Sequence, residues 1–318
     1  MPPSTDDVPG RRHPPAPSRH PIFAPLRLGK HRVALDGPLQ LMGIVNVTPD
    51  SFSDGGEFLD PTAAIAQGHA LAAAGAAIVD VGGESTRPGA PTVPVQEELR
   101  RVMPVLEGLC DALPVPLSID TRKPAVAAAA IDAGVGMVND IGGLGDAGMV
   151  DLLVEHPDVA AIVMHMQGDP TTMQLQPSYT DVVAEVAAFL RARCDRAVAA
   201  GVERSQLVID PGLGFGKTLS HNLTLLSNLG ALRTMVGAPL MVGASRKSFI
   251  AKLLGLPADH RDEGTYATSV LAALHGVEFA RVHDVAGNLR AVRVAEAVVA
   301  VRPRRSDAPH GGKGTLLS

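Results

Sequence analysis

The segment AAAGAAIVDV (residues 72–81) joins an Ala-rich helical end, a glycine and a short β-branched run in direct succession. The same order recurs in AIDAGVGMVND (130–140), AVAAGVERSQLVID (197–210) and AALHGVEFARV (272–282). Glycine is a common helix C-cap because it adopts the left-handed conformation without steric cost. The repeated joint therefore predicts that helices alternate with strands along the chain, which is the pattern of an α/β protein with a parallel sheet.

Eight short apolar runs can serve as the strands of this sheet. They lie at residues 39–47, 77–82, 116–120, 136–141, 160–165, 207–210, 239–244 and 278–284. Eight strand–helix units close most naturally into a (β/α)8 TIM barrel, a fold that commonly uses about 250 residues. A doubly wound open sheet is the alternative fold. It is expected to carry a Gly-rich nucleotide-binding loop after its first strand, and the sequence has none there.

The composition changes at both ends of the chain. The chain has 318 residues, of which 46% are hydrophobic, so a single α/β domain can bury a full core. Residues 1–35 are rich in proline and polar side chains, and we expect a disordered leader there. We expect a second disordered tail over the polar residues 304–318. The barrel is therefore assigned to residues 36–303.

The overall composition argues against several classes of protein. A formal net charge of −5 offers no basic surface for nucleic acid. The two cysteines, Cys110 and Cys194, form no disulfide framework or zinc motif and fit a reduced cytoplasm. No apolar stretch approaches the roughly 20 residues that span a bilayer, and no secretory signal is evident. We therefore expect a cytoplasmic protein that binds neither nucleic acid nor membranes.

Polar residues stand at or near the C-terminal end of every predicted strand. They are Asn46, Asp80, Asp120, Asn139, Asp140, His165, Asp210, Ser245, Arg246, Lys247, Arg281, His283 and Asp284. In a barrel these positions converge on the C-terminal face, where barrel enzymes have their active sites. The simpler interpretation of a single Asp is an N-cap of the next helix, and Asp140 and Asp284 are expected to be caps or supporting groups. Asp80 lies mid-strand and is interpreted as a supporting group inside the barrel.

This predicted mouth mixes carboxylates and an amide with several cationic side chains. Such a mixture suits a substrate with a polar heterocycle at one end and phosphates at the other, because Arg and Lys bind phosphate oxygens through charge-assisted hydrogen bonds. Gly216-Lys217-Thr218 looks like the end of a phosphate-binding P-loop, but Pro211 stands where that motif requires glycine. The motif is therefore rejected.

Eight motifs, in order along the chain, resemble those of the dihydropteroate synthase family over about residues 39–301. They are MGIVNVTPDSFSDGG (42–56), VGGESTRPGA (81–90), SIDTRKP (118–124), NDIGG (139–143), MHMQGDPTTMQ (164–174), DPGLGFGKT (210–218), GASRKSF (243–249) and RVHDV (281–285). The resemblance implies a transferase of folate biosynthesis. It would condense 6-hydroxymethyl-7,8-dihydropterin pyrophosphate with p-aminobenzoate and release pyrophosphate.

The resemblance also implies a role for each matched residue. The pterin would be bound by Asp120, Asn139, Met164, Asp210, Phe215, Gly243 and Lys247. The p-aminobenzoate pocket, for which sulfonamides compete, would comprise Phe52, Thr86, Pro88 and Ser248. The pyrophosphate would be bound by Asn46, Arg87, Arg281 and His283. The catalytic group would comprise Asp54, Arg87, Lys247, Arg281 and His283.

The same resemblance implies a Mg²⁺ cofactor and a homodimer. Asn46 would contact Mg²⁺ that is bound to the pyrophosphate, and Asp54 would fold over the site during reaction. The leaving group would depart before the aniline nitrogen attacks, in an SN1-like displacement that needs no covalent enzyme nucleophile. We expect the two halves of the site to be separable, with Asp210 on the pterin and Arg281 on the leaving group.

Two other functions are compatible with parts of the sequence. A pterin-binding methyltransferase barrel would share the pterin slot, but it would not need the STRPG or RVHD motifs to hold a pyrophosphate. A catalytically silent paralogue would bind pterin or a partner only, and the intact phosphate and aniline motifs argue against it. Pyrophosphate release that depends on p-aminobenzoate separates both alternatives from a synthase.

Overall fold

A computed structural model describes residues 23–48, 61–85, 90–169, 172–255 and 260–301. Its strands are β1 (Leu26–Leu28), β2 (His31–Val33), β3 (Gln40–Asn46), β4 (Ile78–Gly82), β5 (Leu117–Asp120), β6 (Met137–Asp140), β7 (Ala160–Met164), β8 (Leu207–Asp210), β9 (Met241–Val242) and β10 (Phe279–Val282). Its helices are α1 (Pro61–Ala73), α2 (Val95–Leu109), α3 (Pro124–Asp132), α4 (Ala147–Glu155), α5 (Val182–Ala199), α6 (Leu219–Ser227), α7 (Leu229–Val236), α8 (Ser248–Leu254), α9 (Asp262–Leu274) and α10 (Val285–Ala300).

Strands β3 to β10 form a parallel barrel. Their order around the barrel is β8-β7-β6-β5-β4-β3-β10-β9. A parallel bridge between Ile209 and Leu240 joins the two ends of this order and closes the ring. The predicted TIM barrel is thus confirmed, and each of the eight predicted strands overlaps one observed strand. The largest difference is at β9, which is shorter than the predicted 239–244; Pro239, the first residue of the predicted range, has no N–H to contribute to the ladder.

The recurrent helix–glycine–strand joint has the predicted conformation at all four places. The φ angles of Gly75, Gly134, Gly201 and Gly276 are +99°, +102°, +114° and +70°. An ordinary side chain would be strained there, so each glycine lets the chain turn sharply from a helix into the next strand. The joint therefore fixes the length of each helix-to-strand connection at the N-terminal face of the barrel.

Alternate strand residues face two different environments. One set, exemplified by Val79 and Val81, packs outward against the helices. The other set points into the barrel, where the side chains nearest the N-terminal face are apolar, as Ile78, Met137 and Phe279 are. Two residues further along these strands the inward side chains are polar: Asp80, Asn139 and Arg281. The period of two in each strand thus places an apolar layer beneath a polar mouth.

The expectation of a disordered leader over residues 1–35 is wrong for residues 23–35. Strands β1 and β2 pair as an antiparallel hairpin, with Leu26 opposite Val33. The apolar side chains of this segment are buried and pack against the lower layer of the barrel; they are Leu26, Leu28, Val33 and Leu35. They alternate with polar residues, which is a strand pattern, and their apolar area is covered because the open floor of the barrel offers an apolar partner.

A buried ion pair supports the floor near the point where the barrel closes. Arg233 on α7 donates through Nε to Glu278 Oε1 at 2.8 Å, and the backbone N–H of Leu240 donates to Glu278 Oε2 at 2.8 Å. The ring of Phe23 lies 4.6 Å from the Arg233 guanidinium. Glu278 therefore ties the strand connections at β9 and β10 to α7, and the N-terminal segment covers this tie.

None of the helices in the described ranges is long and apolar enough to cross a membrane.

Two truncations test the role of the hairpin. A chain that begins at residue 36 loses four buried side chains, each of which contributes about 1.5–3 kcal/mol when fully buried. Its melting temperature should fall by more than about 10 °C. A chain that begins at residue 23 keeps the hairpin and should melt within a few degrees of the full chain. Equal melting temperatures for the two truncations in a thermal denaturation scan would show that the hairpin does not stabilise the barrel.

Candidate active site at the barrel mouth

Four inward-pointing side chains on β4, β5, β6 and β10 form one hydrogen-bonded network. Arg281 donates through Nε to Asp80 Oδ2 at 2.6 Å and through Nη2 to Asp120 Oδ2 at 2.8 Å. Asn139 Nδ2 donates to the same Asp80 oxygen at 3.1 Å. Asp80, expected to be a supporting group, therefore links the predicted pterin ligands Asp120 and Asn139 to Arg281. Arg281, which is expected to serve the leaving group, thus contacts one of the predicted pterin ligands directly.

A second group of predicted ligands comes together at the ends of β8 and β9. Asp210 Oδ1 accepts from the backbone N–H of Gly212 at 2.7 Å. Lys247 Nζ donates to the carbonyl of Leu213 at 2.5 Å. A Cβ atom added to Gly243 would lie 3.7 Å from both Asp210 Oδ2 and Lys247 Nζ. Glycine at this position therefore keeps the approach to the carboxylate and the ammonium group open.

An apolar patch lies beside these polar groups. Its buried members are Ile141, Met164, Met173 and Phe215, with Met166 packed against them. The ammonium group of Lys247 lies 4.6 Å from the centre of the Phe215 ring, so the patch borders the polar ligands. A flat heterocycle could lie against the patch while its edge meets the polar groups. Ile141 and Met173 were not predicted as site residues, because neither carries a polar group.

Burial shifts the pKa values of three mouth residues towards neutral pH. It raises the pKa of Asp120 to about 7, although the Arg281 guanidinium opposes the shift. It raises the pKa of Asp210 above its usual range against the effect of Lys247. It lowers the pKa of Lys247 to about 8, with Asp210 opposing. Shifts of this origin are typical of a site built for a polar ligand, which can replace the lost hydration.

A buried lysine supports the loop that carries Phe215. Lys217 Nζ lies 2.9 Å from His165 Nδ1 and donates to the carbonyl of Phe215 at 2.9 Å. Burial lowers the pKa of His165 to about 3, so its ring is neutral and accepts from Lys217. His165 is thus a supporting residue beneath the loop. In the sequence Lys217 belongs to the family motif at 210–218 and to the rejected P-loop motif, but no local signal predicts its burial.

The remaining predicted residues of the described chain lie at the rim. Ser245 Oγ is 2.9 Å from His283 Nδ1, which fixes the orientation of the histidine ring. Asn46 is half-buried at the end of β3, and Ser248 is exposed at the start of α8. Asp140 and Asp284 act as supporting groups as expected: Asp140 accepts from the N–H of Gly142 and Leu144, and Asp284 accepts from the N–H of Gly287. The other predicted site residues lie outside the described residues: Phe52, Asp54, Thr86, Arg87 and Pro88.

The turn that leads into Lys247 has an unusual backbone. Arg246 has a φ of +56°, and Leu144 is the other non-glycine residue with positive φ in the described ranges. The left-handed conformation costs an ordinary residue about 1–2 kcal/mol. It persists only where the surroundings determine it, and such positions cluster at functional sites.

Comparisons with known proteins agree with this geometry. The model of the pterin binding enzyme family matches residues 42–283. The dihydropteroate synthase of Escherichia coli K12 is 44% identical over 265 residues, which cover 83% of this chain and 93% of that protein. The structure of Xanthomonas albilineans dihydropteroate synthase with 4-aminobenzoic acid has a TM-score of 0.82 at 46% identity, and covers 87% of this chain and 99% of its own. The same enzyme in complex with 7,8-dihydropteroate has a TM-score of 0.79 at 44% identity, covering 88% and 100%. The chain therefore belongs to the pterin binding enzyme family, and the relatives that it resembles in sequence and structure are dihydropteroate synthases.

Proposed function

We propose that this chain is a dihydropteroate synthase, which joins 6-hydroxymethyl-7,8-dihydropterin pyrophosphate to p-aminobenzoate and releases pyrophosphate. The observation that carries the proposal is one barrel mouth that holds two carboxylates with little exposure, an amide, a lysine and an apolar patch, together with Arg281 and His283. The relatives support it, since the Xanthomonas albilineans enzyme binds 4-aminobenzoic acid and 7,8-dihydropteroate.

The pterin ring would lie against Met164 and Phe215 with its polar edge towards the barrel interior. Asp210 would accept two N–H bonds from the 2-amino-pyrimidinone edge, as an ionised carboxylate can. Lys247 would donate to a ring oxygen or nitrogen from the opposite side of Gly243. Asp120 and Asn139 would pair with the remaining ring nitrogens. Each of these groups is already buried or half-buried, so a bound pterin restores hydrogen bonds that hydration no longer supplies.

The reaction breaks the bond between the pterin methylene carbon and the pyrophosphate oxygen, which keeps the electron pair. The aniline nitrogen of p-aminobenzoate then forms a bond to that carbon and loses a proton. Arg281 and His283 would donate to the leaving group and stabilise the negative charge that grows on it, as fixed donors do most effectively in a dry site. The p-aminobenzoate would be held by Ser248 together with Phe52, Thr86 and Pro88. Arg87 would bind pyrophosphate, and Asp54 would fold over the site.

The donors at the mouth fit a Mg²⁺ ion that arrives with the pyrophosphate. In the described residues no group of three or more His, Cys, Asp or Glu side chains could hold a metal ion. Asn46 would contribute one amide oxygen, and phosphate oxygens and water would complete the shell, since Mg²⁺ keeps several waters. When bound, the ion would supply Lewis-acid stabilisation of the leaving group.

We also propose a cytoplasmic homodimer. Cys110 and Cys194 are both free thiols, as is usual in a reducing compartment. Helices α9 and α10 pack on each other and expose several apolar side chains, which suits a self-complementary contact. These side chains are Leu271, Leu274, Val294 and Val298.

The first test concerns the reaction itself. Pyrophosphate release should require both p-aminobenzoate and Mg²⁺. EDTA should abolish it without changing the melting temperature or the affinity for a bare pterin, because the ion would act on the leaving group only. Release without p-aminobenzoate, or full turnover in metal-free buffer, would contradict the proposed reaction.

Two substitutions test the separate roles proposed for Asp210, which would bind the pterin, and Arg281, which would stabilise the leaving group. Asp210→Asn leaves one pterin donor unpaired at a cost of about 1–3 kcal/mol, so bare pterin should bind roughly ten- to a hundredfold more weakly. Arg281→Ala should reduce turnover by a larger factor, on the order of 10²–10³, because the lost cation stabilises charge in the transition state. It should also weaken bare pterin binding, because the Arg281 guanidinium opposes the rise in the pKa of Asp120 and so favours its ionised form. Calorimetric titration and pyrophosphate release measure the two effects; an Arg281→Ala variant with normal turnover would contradict the assignment.

The shifted pKa values predict a bell-shaped pH dependence of bare pterin binding. Affinity should rise as pH increases through about 7, because ionised Asp120 is a stronger hydrogen-bond acceptor than the neutral acid. It should fall as pH increases through about 8, because protonated Lys247 is a stronger donor than the neutral amine. Fluorescence titrations between pH 5.5 and 9.5 (about one and a half units beyond each flank) would reveal both limbs. An affinity that stays constant over this range would show that neither group changes its protonation state near neutrality.

A further inference from the structure

We propose that Arg246 and Asp262 are positioning residues, whose ion pair holds the left-handed turn that directs Lys247 and Ser248 into the mouth. The inference deepens the proposed function, because it rests on the pterin-binding role of Lys247 and the p-aminobenzoate role of Ser248. Neither Arg246 nor Asp262 has a place in the binding set derived above.

The first step of the argument is the geometry of the turn. The N–H of Lys247 donates to the carbonyl of Ala244 at 3.2 Å, so residues 244–247 form a closed four-residue turn. Arg246 is its third residue and has a φ of +56°. A positive φ at the third position of a β-turn favours glycine. Arginine therefore occupies this position against its own backbone preference.

The second step is the set of contacts that holds Arg246. Its Nε and Nη2 atoms donate to the two carboxylate oxygens of Asp262, both at 2.8 Å. Its backbone N–H donates to Thr265 Oγ1 at 3.2 Å, and its carbonyl accepts from Arg261 Nη1 at 3.0 Å. All three partners lie in the first turn of α9 or directly before it. The start of α9 thus contacts the side chain, the backbone N–H and the carbonyl of Arg246, whose φ angle is unusual for its position in the turn.

The third step is the location of the pair. The side chains of Arg246 and Asp262 are 43% and 25% exposed, and ion pairs with this exposure contribute little to global stability. The turn, in contrast, has Ser245 on one side, which contacts His283, and Lys247 on the other, which contacts Leu213. The ion pair contributes little to global stability, but its bidentate geometry is specific. It is therefore suited to fixing the conformation of the turn.

Substitution of Arg246 by alanine and by glycine separates positioning from other roles. Both variants lose the guanidinium and its ion pair, but glycine adopts the left-handed turn without cost and alanine does not. Arg246→Ala should bind bare pterin about tenfold more weakly, which corresponds to the cost of the left-handed conformation, and should raise the KM for p-aminobenzoate. Arg246→Gly should regain most of both losses, and both variants should melt within a few degrees of the unchanged protein.

Asp262→Asn supplies the matched control on the partner. The Asp262→Asn substitution should weaken pterin binding when Arg246 is present. It should cause no further loss in the Arg246→Gly variant, because glycine adopts the turn without the ion pair. If alanine and glycine at position 246 lose pterin affinity equally, or if neither loses any, the positioning role is wrong. An equal loss would indicate that the guanidinium itself contacts substrate. If the unchanged protein binds no pterin, the proposed function fails, and this outcome is distinct from a failure of the positioning role.

Discussion

The pairing of Arg281 with two carboxylates inside the barrel is the interaction on which the mouth depends. Asp80 is fully buried and Asp120 nearly so, and such groups are costly to ionise unless a cation compensates them. Arg281 meets both, and Asp80 in turn orients Asn139. Four strands of the barrel are thereby joined above the apolar layer. Removing Arg281 would leave both carboxylates uncompensated in a region from which water is largely excluded.

Under the proposed roles, this network would also make the two ends of the substrate interdependent. An arginine that served only the leaving group would be free before substrate arrives. Here it is held by Asp120, which is itself a proposed pterin ligand. Binding of the pterin edge therefore competes for the same carboxylate that anchors Arg281. A pterin that takes over hydrogen bonds from Asp120 would leave more of the guanidinium available for the pyrophosphate, so the correct heterocycle would help to prepare the site for its leaving group.

The barrel could be predicted from the sequence because its signals are local. Glycine joints and a period of two in short apolar runs identify strands without knowledge of their neighbours. The hairpin could not be predicted in the same way, because Leu26 and Leu28 follow a Pro-rich stretch and become buried only where the barrel floor meets them. Lys217 and Arg246 were missed as supporting residues for a related reason. The burial of Lys217 and the φ angle of Arg246 depend on residues that are distant in sequence. The roles of individual mouth residues came from the family resemblance, whereas their pairings came from the fold.

The hairpin also has a consequence for how the chain is synthesised. Its leucines are synthesised about 250 residues before Phe279 on β10, which is part of the floor that covers them. At about 5–20 residues per second, they would wait roughly 10–50 s for that partner. During this interval the nascent chain carries apolar surface that only the finished barrel can cover. A helper that shields Leu26 and Leu28 during translation would therefore raise the yield of active protein more than one that acts after release.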